Sequence, residues 1–346
     1  MKINIKMLDV GDADAIIVHL IRNVSEHFVM LIDGGSPDHA EHVIDELDKL
    51  LRSIGKVGPD LVVCTHYDSD HIGGLLEVAK KYRTLIGEFW IHDHEMIKPV
   101  SLFAEQVLNI RKKSNLNVML SLNEHKMKSE FSQVSDFLLE SYPQMLTLIE
   151  YLNYNDISWI SPLTGQSVKG WEDIIRVIGP TKEFYKLGIS KIKHSPNQVI
   201  NEQVLATHSK GIASLSKLLN ESIRIEADPC AVLGNKNKSV TWINKISIII
   251  QFLVNDQKYL FTGDTSVNAL QSIPDYENLL SNIHWLKVAH HGSRNNSSPE
   301  IFDLMKPKFA DISGGHKYFD EEVRQCLKAK KTKVRLTKDE GELQFP

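Results

Sequence analysis

The chain has 346 residues, of which 42% are hydrophobic, and a formal net charge of -4. This hydrophobic share is sufficient for a large buried core, and the charge argues against a general binder of polyanions. The cysteines, Cys64, Cys230 and Cys326, are odd in number and far apart, which argues against a disulfide framework and a thiolate zinc site. The most apolar run, Ile246 to Val254, is too short to span a bilayer. We therefore expect a soluble, cytoplasmic protein that does not bind membranes.

Strand and helix patterns alternate in the N-terminal part of the chain. Three β-patterns lie before residue 36, and residues 40–55 then have apolar side chains at helical spacing and end in a glycine. A buried-type strand, "PDLVVCTH", follows at residues 59–66 and leads into a polar loop and a further helix. This order predicts an α/β chain.

The middle of the chain is mostly helical by pattern and offers few residues suited to chemistry. We predict one domain over residues 1–346, with a helical insertion at 95–165 and a second insertion, a helix plus a polar loop, at 195–240. The β-pattern then returns as a hairpin over residues 247–264, followed by a strand that ends at "AHHGS". The last segment, residues 333–345, is predicted to form a closing hairpin that turns at residues 339–341.

Acidic and imidazole side chains follow three of the predicted strands. Strand ends are rigid, and the loops that leave them can converge on one crevice. Carboxylates and neutral imidazoles are the usual ligands of a dinuclear hydrolytic site. An alternative remains for the first loop, because Asp68, Ser69 or Asp70 would also serve as the N-cap of the next helix. The candidate ligands are His66, Asp68, Asp70, His71, Asp264, His290 and His291.

At these positions the chain resembles the metallo-β-lactamase-fold hydrolases, and among them the soluble hydrolase domain of the ComEC competence family. The motifs that carry the resemblance are, in chain order, "LDVGDADA", "LIDGG", "THYDSDHIGG", "NKISII", "FTGD", "LKVAHHGS" and "TKDEGEL". Three features depart from the family: Asp12 and Ala13 replace Gln-Gly, Tyr67 replaces a proline, and "GGHKYFDEEV" stands where the family has G-H-P. The resemblance implies an α/β fold of αββα type, with two mixed sheets flanked by helices.

The resemblance also implies a set of metal ligands. His66 and Asp68 would hold a first ion, Asp70 and His71 a second, and Asp264 would bridge them, so that Asp70 and Asp264 become the central catalytic carboxylates. His290 is preferred to His291 as the ligand of the last motif, although both remain candidates. Where the fold commonly has a further histidine this chain has Asn244, a weak ligand at best. Three other carboxylates are expected to orient ligands through hydrogen bonds: Asp9, Asp14 and Asp33.

Asp68 stands where most relatives have a histidine. A carboxylate is a harder ligand than an imidazole, so we expect two divalent ions, Zn²⁺ or Mn²⁺, with Mg²⁺ as a further candidate.

The implied chemistry is hydrolysis by a metal-activated hydroxide, and the resemblance favours a phosphodiesterase, specifically a nuclease. Ser293, Arg294 and Asn295 are candidates to hold a phosphate, but the same stretch also matches a helix start with Pro299 in the first position. Two alternatives stay open. One is a hydrolase of small esters, lactones or phosphoesters, and the other is a catalytically weak sensor that contacts a partner protein through the helical insertion. The sequence leaves the oligomeric state undecided.

Overall fold

The computed structural model describes residues 1–92, 142–194, 228–233, 240–315 and 317–346. Within them the chain forms two β-sheets that pack face to face, with helices on the two outer faces. The strands are β1 (Lys2–Met7), β2 (Ile16–Ile21), β3 (His27–Ile32), β4 (Leu61–Val63), β5 (Glu88–Trp90), β6 (Trp159–Ile160), β7 (Ile175–Gly179), β8 (Ile249–Val254), β9 (Gln257–Phe261), β10 (Ile283–Lys287), β11 (Phe309–Ile312), β12 (Lys333–Leu336) and β13 (Leu343–Phe345).

The described helices lie between these strands. They are α1 (Ala40–Ser53), α2 (Ser69–Ile72), α3 (Leu75–Tyr82), α4 (Tyr142–Tyr154), α5 (Lys182–His194), α6 (Trp242–Lys245), α7 (Val267–Gln271), α8 (Tyr276–Leu280), α9 (Pro299–Met305), α10 (Glu321–Ala329) and α11 (Thr337–Glu340). Short 3₁₀ turns occur at Pro37–His39, Arg83–Leu85, Ala289–Gly292 and Arg294–Asn296. The two-sheet arrangement confirms the predicted αββα fold.

Both sheets are mixed. The first has the order β13-β1-β2-β3-β4-β5-β6, antiparallel as far as β3 and parallel from β3 to β6. The second has the order β12-β11-β10-β9-β8-β7, parallel from β12 to β9 and antiparallel beyond. The parallel strands at the centre of each sheet therefore end at a common edge, where their loops can meet.

Side-chain alternation divides the apolar residues among three layers. In β4, Leu61 and Val63 join the core between the sheets, whereas Val62 points to the helical layer outside. A strand buried on both faces needs a continuous apolar run, and the β-branched "LVV" provides it. Helix α1 covers this outer face with Val43, Leu47 and Leu51 at four-residue spacing.

One predicted hairpin is confirmed and another is wrong. Strands β8 and β9 pair antiparallel around a turn at Asn255 and Asp256, which both have positive φ. The closing hairpin does not form, because β12 pairs with β11 in the second sheet whereas β13 pairs with β1 in the first. Helix α11 and Gly341, with φ of 72°, redirect the chain between the sheets. Leu343 and Phe345 then reach the apolar core between them.

The described end of the predicted insertion at 95–165 belongs to the main layers. Strand β6 continues the first sheet beside β5, and α4 packs Met145, Leu148 and Leu152 into the outer core of that sheet. Residues 95–141 lie outside the described residues, as does most of the second predicted insertion at 195–240. From that second range, Cys230 and Leu233 are buried against the helical layer of the second sheet.

A disulfide joins Cys230 to Cys326 in α10, and Cys64 is a buried free thiol. The prediction of no disulfide is therefore wrong, because sequence distance says nothing about which cysteines the fold brings together. The cysteines therefore do not support the expected cytoplasmic location, which stays a prediction. Among the described residues, none of the helices has the length and apolarity needed to cross a membrane.

Candidate metal centre

The candidate ligands lie where parallel strands of the two sheets end. His66 follows β4 of the first sheet, whereas Asp264 and the pair His290–His291 follow β9 and β10 of the second. The two edges are joined by a hydrogen bond of 2.9 Å from the backbone of Ile248 to that of Thr65. The strand-end clusters that were separate in sequence thus meet at one seam.

A glycine permits this close approach. Gly263 has φ of 52°, and a Cβ at this position would lie 2.9 Å from Ser247 and 3.1 Å from Thr65. Any other residue would therefore both strain the backbone and push the two loops apart. The glycine of "TGD" places Asp264, the next residue, between the two sheets.

One carboxylate oxygen lies at the centre of the site. Oδ2 of Asp264 is 3.4 Å from Nε2 of His71 and 3.9 Å from Nε2 of His66. From the second sheet, Nε2 of His290 and of His291 lie 3.6 and 3.9 Å from the same oxygen. Such separations suit ligands of a shared cation, because each ligand would lie about 2 Å from the ion.

The two other carboxylates flank this centre on different sides. Oδ2 of Asp68 lies 3.7 Å from Nε2 of His66, and Oδ2 of Asp70 lies 3.3 Å from Nε2 of His291. Asp68 is the residue before α2, but its side chain makes no capping hydrogen bond. Its carboxylate is therefore turned to the histidines rather than to the helix, so the structure does not support the N-cap alternative for Asp68.

Outer hydrogen bonds fix the orientation of the first two histidines. Nδ1 of His71 lies 2.8 Å from Oδ2 of Asp33, which can only accept a hydrogen bond. The Thr65 hydroxyl donates to Asp33 at 2.7 Å and so accepts from Nδ1 of His66 at 3.1 Å. In the neutral form that binds a metal, both imidazoles would therefore carry their proton on Nδ1 and direct Nε2 towards Asp264.

The second pair of histidines is held in the same way. Nδ1 of His290 donates to the amide oxygen of Asn296 at 2.9 Å, and the Asn296 amide nitrogen is fixed by the backbone carbonyls of residues 264 and 265. Nδ1 of His291 lies 3.1 Å from Oγ of Ser313, whose proton goes to Asp14. All four imidazoles therefore present Nε2 to the centre.

The backbone at the two adjacent histidines is left-handed. His290 and His291 have φ of 50° and 51°, which costs a non-glycine residue on the order of 1 kcal/mol or more each. In an extended strand, neighbouring side chains point to opposite faces, and this local twist lets both imidazoles reach the same centre. The sequence preference for His290 over His291 thus finds no support in position, since both lie within 3.9 Å of Asp264.

A buried lysine balances part of the negative charge. Lys287 pairs with Asp14 and lies 3.4 Å from Oδ1 of Asp264. Burial alone raises the pKa of both carboxyls, but nearby cations overcome it: Lys287 foremost at Asp14, and the histidines with Lys287 at Asp264, so both pKa values lie below the usual range. Burial lowers the pKa of His71, but Asp264, Asp33 and Asp14 raise it well above its usual value. Asp14 and Asp264 are thus ionised and attract cations.

The donor atoms fit a pair of divalent cations. Four buried atoms of the candidate ligands have no hydrogen-bond partner: Nε2 of His66, His71 and His291, and Oδ1 of Asp68. Buried polar atoms left without partners are costly, and cations bound there would satisfy them. With neutral histidines, five carboxylates and one ammonium give the site a formal charge of four negative, which two divalent cations would neutralise. His66 and Asp68 would hold one, Asp70, His71 and His291 would hold the other, and Asp264 would be shared by both.

Several predicted residues lie elsewhere or have other partners. Asp9 is exposed, and within the described part of the chain no hydrogen bond or ion pair links it to the cluster. Asn244 is buried, and its amide oxygen accepts from Thr241 at 2.6 Å. Ser293 is buried and its hydroxyl accepts from the backbone of Asn295.

Arg294 is committed to Asp320 through two side-chain contacts of 3.0 and 3.1 Å. The predicted helix start at Pro299 is confirmed, with Ser298 as its N-cap. Ser293 and Arg294 therefore have structural roles in this fold, and their side chains are engaged by Asn295 and Asp320 rather than held ready for a phosphate.

Sequence reasoning missed two residues of the site, Lys287 and Tyr318, and the role of Asn296 in orienting His290. The Tyr318 ring packs on His290 and His291, with ring centroids 5.3 and 5.6 Å apart. Asp12 anchors the loop that carries Tyr318 by accepting from the backbone of Gly315 at 2.9 Å. Lys287 had a visible signal, because a lysine within the apolar run "IHWLKVA" needs a carboxylate partner if it is buried. Tyr318 had none, since it lies where the family motif is absent.

Comparison with known proteins gives a consistent result. Residues 12–141 match the model of the metallo-beta-lactamase superfamily. ComE operon protein 3 of Bacillus subtilis is 24% identical over 151 residues, which is 42% of this chain but only 19% of that protein. The metallo-beta-lactamase fold protein YhfI from Bacillus subtilis aligns over 99% of each chain, at 10% identity and a TM-score of 0.42, which is too distant a likeness to carry weight. The chain has the metallo-β-lactamase fold of metal-dependent hydrolases and is related to ComE operon protein 3.

Proposed function

We propose that the protein is a phosphodiesterase, specifically a nuclease, that uses two divalent cations, Zn²⁺ or Mn²⁺, with Mg²⁺ as a further candidate. The observation that carries the proposal is the convergence of four imidazole nitrogens on one oxygen of Asp264, with Asp68 and Asp70 on either side. When bound, the two cations would supply an activated water and offset the charge that develops on the reacting oxygens.

The open side of the site is formed by its partly exposed ligands. Side chains of Asp68, Asp70 and His290 are 23, 22 and 18% exposed, whereas those of His66, His71, His291 and Asp264 are at most 1% exposed. Substrate would therefore approach past Asp68, Asp70 and His290, and the buried histidines would keep solvent from the opposite side. Ligands that are exposed on one side and buried on the other suit a large substrate that lies across the opening, rather than a small one that is enclosed.

A positive charge borders the same opening and favours an anionic substrate. Lys317 is exposed, and its ammonium lies 5.0 Å from the centre of the Tyr318 ring, which in turn packs on His290. An exposed lysine beside an aromatic ring offers a phosphodiester both charge and an apolar surface. We therefore assign Lys317 and Tyr318 to substrate contact, in place of Ser293 and Arg294.

Hydrolysis assays with matched variants test this function. The protein loaded with Mn²⁺ or Zn²⁺ is expected to cleave DNA or RNA, and Asp70→Asn to lose at least a hundredfold in rate. Asp9→Asn is the control, because it removes an exposed carboxylate with no link to the cluster. If the protein leaves nucleic acids intact but cleaves a small ester, the nuclease hypothesis is refuted and the small-ester hydrolase is supported. A native protein without bound metal and without hydrolysis would favour the sensor.

A further inference from the structure

A buried lysine lies beside the central carboxylate of the site. Lys287 is 1% exposed at the end of β10, and its ammonium pairs with Asp14. It also donates to the backbone carbonyl of Gly263 at 3.0 Å and lies 3.4 Å from Oδ1 of Asp264. A buried ammonium is costly unless carboxylates surround it, so a lysine at this depth requires these partners.

The two oxygens of Asp264 have different surroundings. Oδ1 faces the ammonium of Lys287, whereas Oδ2 faces the histidine nitrogens at 3.4 to 3.9 Å. An unrestrained carboxylate rotates about its last bond and offers either oxygen, or both, to a cation. The lysine removes this freedom because it binds one of the two oxygens.

We propose that Lys287 is a positioning residue that makes Asp264 a single-oxygen bridge. Its ammonium holds Oδ1, so that Oδ2 alone would be left to face the cations when they are bound. The inference rests on the dinuclear site of the proposed function.

The position of Lys287 is itself fixed from the first sheet. Asp14 lies after β1, on the other side of the seam, and its second oxygen accepts from Ser313. The backbone of Asp14 is held by two further hydrogen bonds, one from its N–H to Asp70 at 3.0 Å and one to its carbonyl from Gly35 at 2.7 Å. The ammonium is therefore anchored at one end and directed at Asp264.

A role as a mere counter-charge makes the opposite prediction. If Lys287 only offset the acids, its removal would make the site more negative and bind divalent cations more tightly. If it positions Asp264, its removal frees the carboxylate and weakens binding despite the gain in negative charge. Loss of such an outer partner typically costs 10- to 100-fold in metal affinity.

Cobalt binding to the full chain tests the inference. We expect Lys287→Met to weaken Co²⁺ binding about 10- to 100-fold and to change the visible absorption spectrum of the bound ions, which reports their coordination. Lys258→Met is the matched control, because Lys258 also lies in the second sheet and donates to a backbone carbonyl, that of Ser281, at 3.0 Å. The control should keep the affinity and the spectrum of the wild type.

Two results would overturn the inference. Wild-type or tighter Co²⁺ binding by Lys287→Met, with an unchanged spectrum, would refute positioning and leave the proposed hydrolase intact. Failure of the wild type to bind Co²⁺, Zn²⁺ or Mn²⁺ would refute the proposed function and the inference together. If Lys287→Met does not fold, as judged by circular dichroism, Lys287→Gln serves instead, with a smaller loss expected because the amide is a neutral donor.

Discussion

Acid is expected to destabilise the protein partly through a buried histidine outside the metal centre. His92 follows β5, is 1% exposed and donates from Nε2 to the carbonyl of Ile246 at 3.0 Å. Burial lowers its pKa to about 4, against about 6.5 in an unfolded chain. Between these values the unfolded state binds a proton that the folded state does not. The stabilising contribution is therefore complete above pH 6.5 and is lost as the pH falls towards 4.

The size of this contribution follows from the two pKa values. On acidification from pH 7 to pH 5, protonation of this group in the unfolded state removes about 2 kcal/mol from the free energy of unfolding. His92→Gln keeps a donor for Ile246 and does not titrate, so its unfolding free energy should fall by about 2 kcal/mol less over the same range. Urea denaturation of the wild type and of His92→Gln at pH 7 and pH 5 gives the four free energies of unfolding. A chelator is present throughout to keep the metal centre empty.

Subtracting the loss of the variant from the loss of the wild type removes the effect of every other titrating group. One of these groups is His19, whose pKa is also lowered to about 4 by burial. Equal losses in wild type and His92→Gln would refute the assignment of a neutral, buried imidazole at position 92. A larger loss in the variant would do the same.

Three further predictions concern the metal, the disulfide and the substrate. Asp68→His should raise the ratio of bound Zn²⁺ to bound Mn²⁺, because imidazole is a softer ligand than a carboxylate. The ratio is measured by mass spectrometry after dialysis against both ions. An unchanged ratio would mean that Asp68 does not coordinate the metal. Cys326→Ser opens a link between residues 96 positions apart and should lower the free energy of unfolding by about 4 kcal/mol in urea titrations, and a loss under 1 kcal/mol would contradict this. Lys317→Met should raise KM for a phosphodiester about fivefold at low salt, with kcat unchanged and the effect fading in high salt; a change in kcat alone would argue against a role in binding.

The strand-end positions of the ligands were predictable from the sequence, because they depend on local pattern. Apolar runs that end in "THYDSDH", "TGD" and "AHHGS" place these residues at the edge of a sheet wherever the strands pair. The shared edge then follows from the parallel order at the centre of each sheet. The two-sheet fold was likewise predictable, through the resemblance that these motifs carry.

Asp14 and Asp33 were expected to orient ligands, but the other partners of the ligands were not predictable, because they come from distant parts of the chain. Ser313, which orients His291 together with Asp14, lies 299 positions from Asp14 and outside the motifs that carry the resemblance. The same reason explains the unexpected disulfide and the failure of the closing hairpin, where β13 joins the first sheet rather than its neighbour in sequence. Local pattern specifies what each segment is, and packing decides what it meets.

The seam between the sheets gives the metal a mechanical role beside its chemical one. His66, Asp68, Asp70 and His71 come from the first sheet, and Asp264, His290 and His291 from the second, so neither half alone has a complete site. Cations bound here would cross-link the two sheets. Their binding free energy would then stabilise the packing of one sheet against the other. A chelator should accordingly loosen the sandwich at this edge while the strands of each half remain paired.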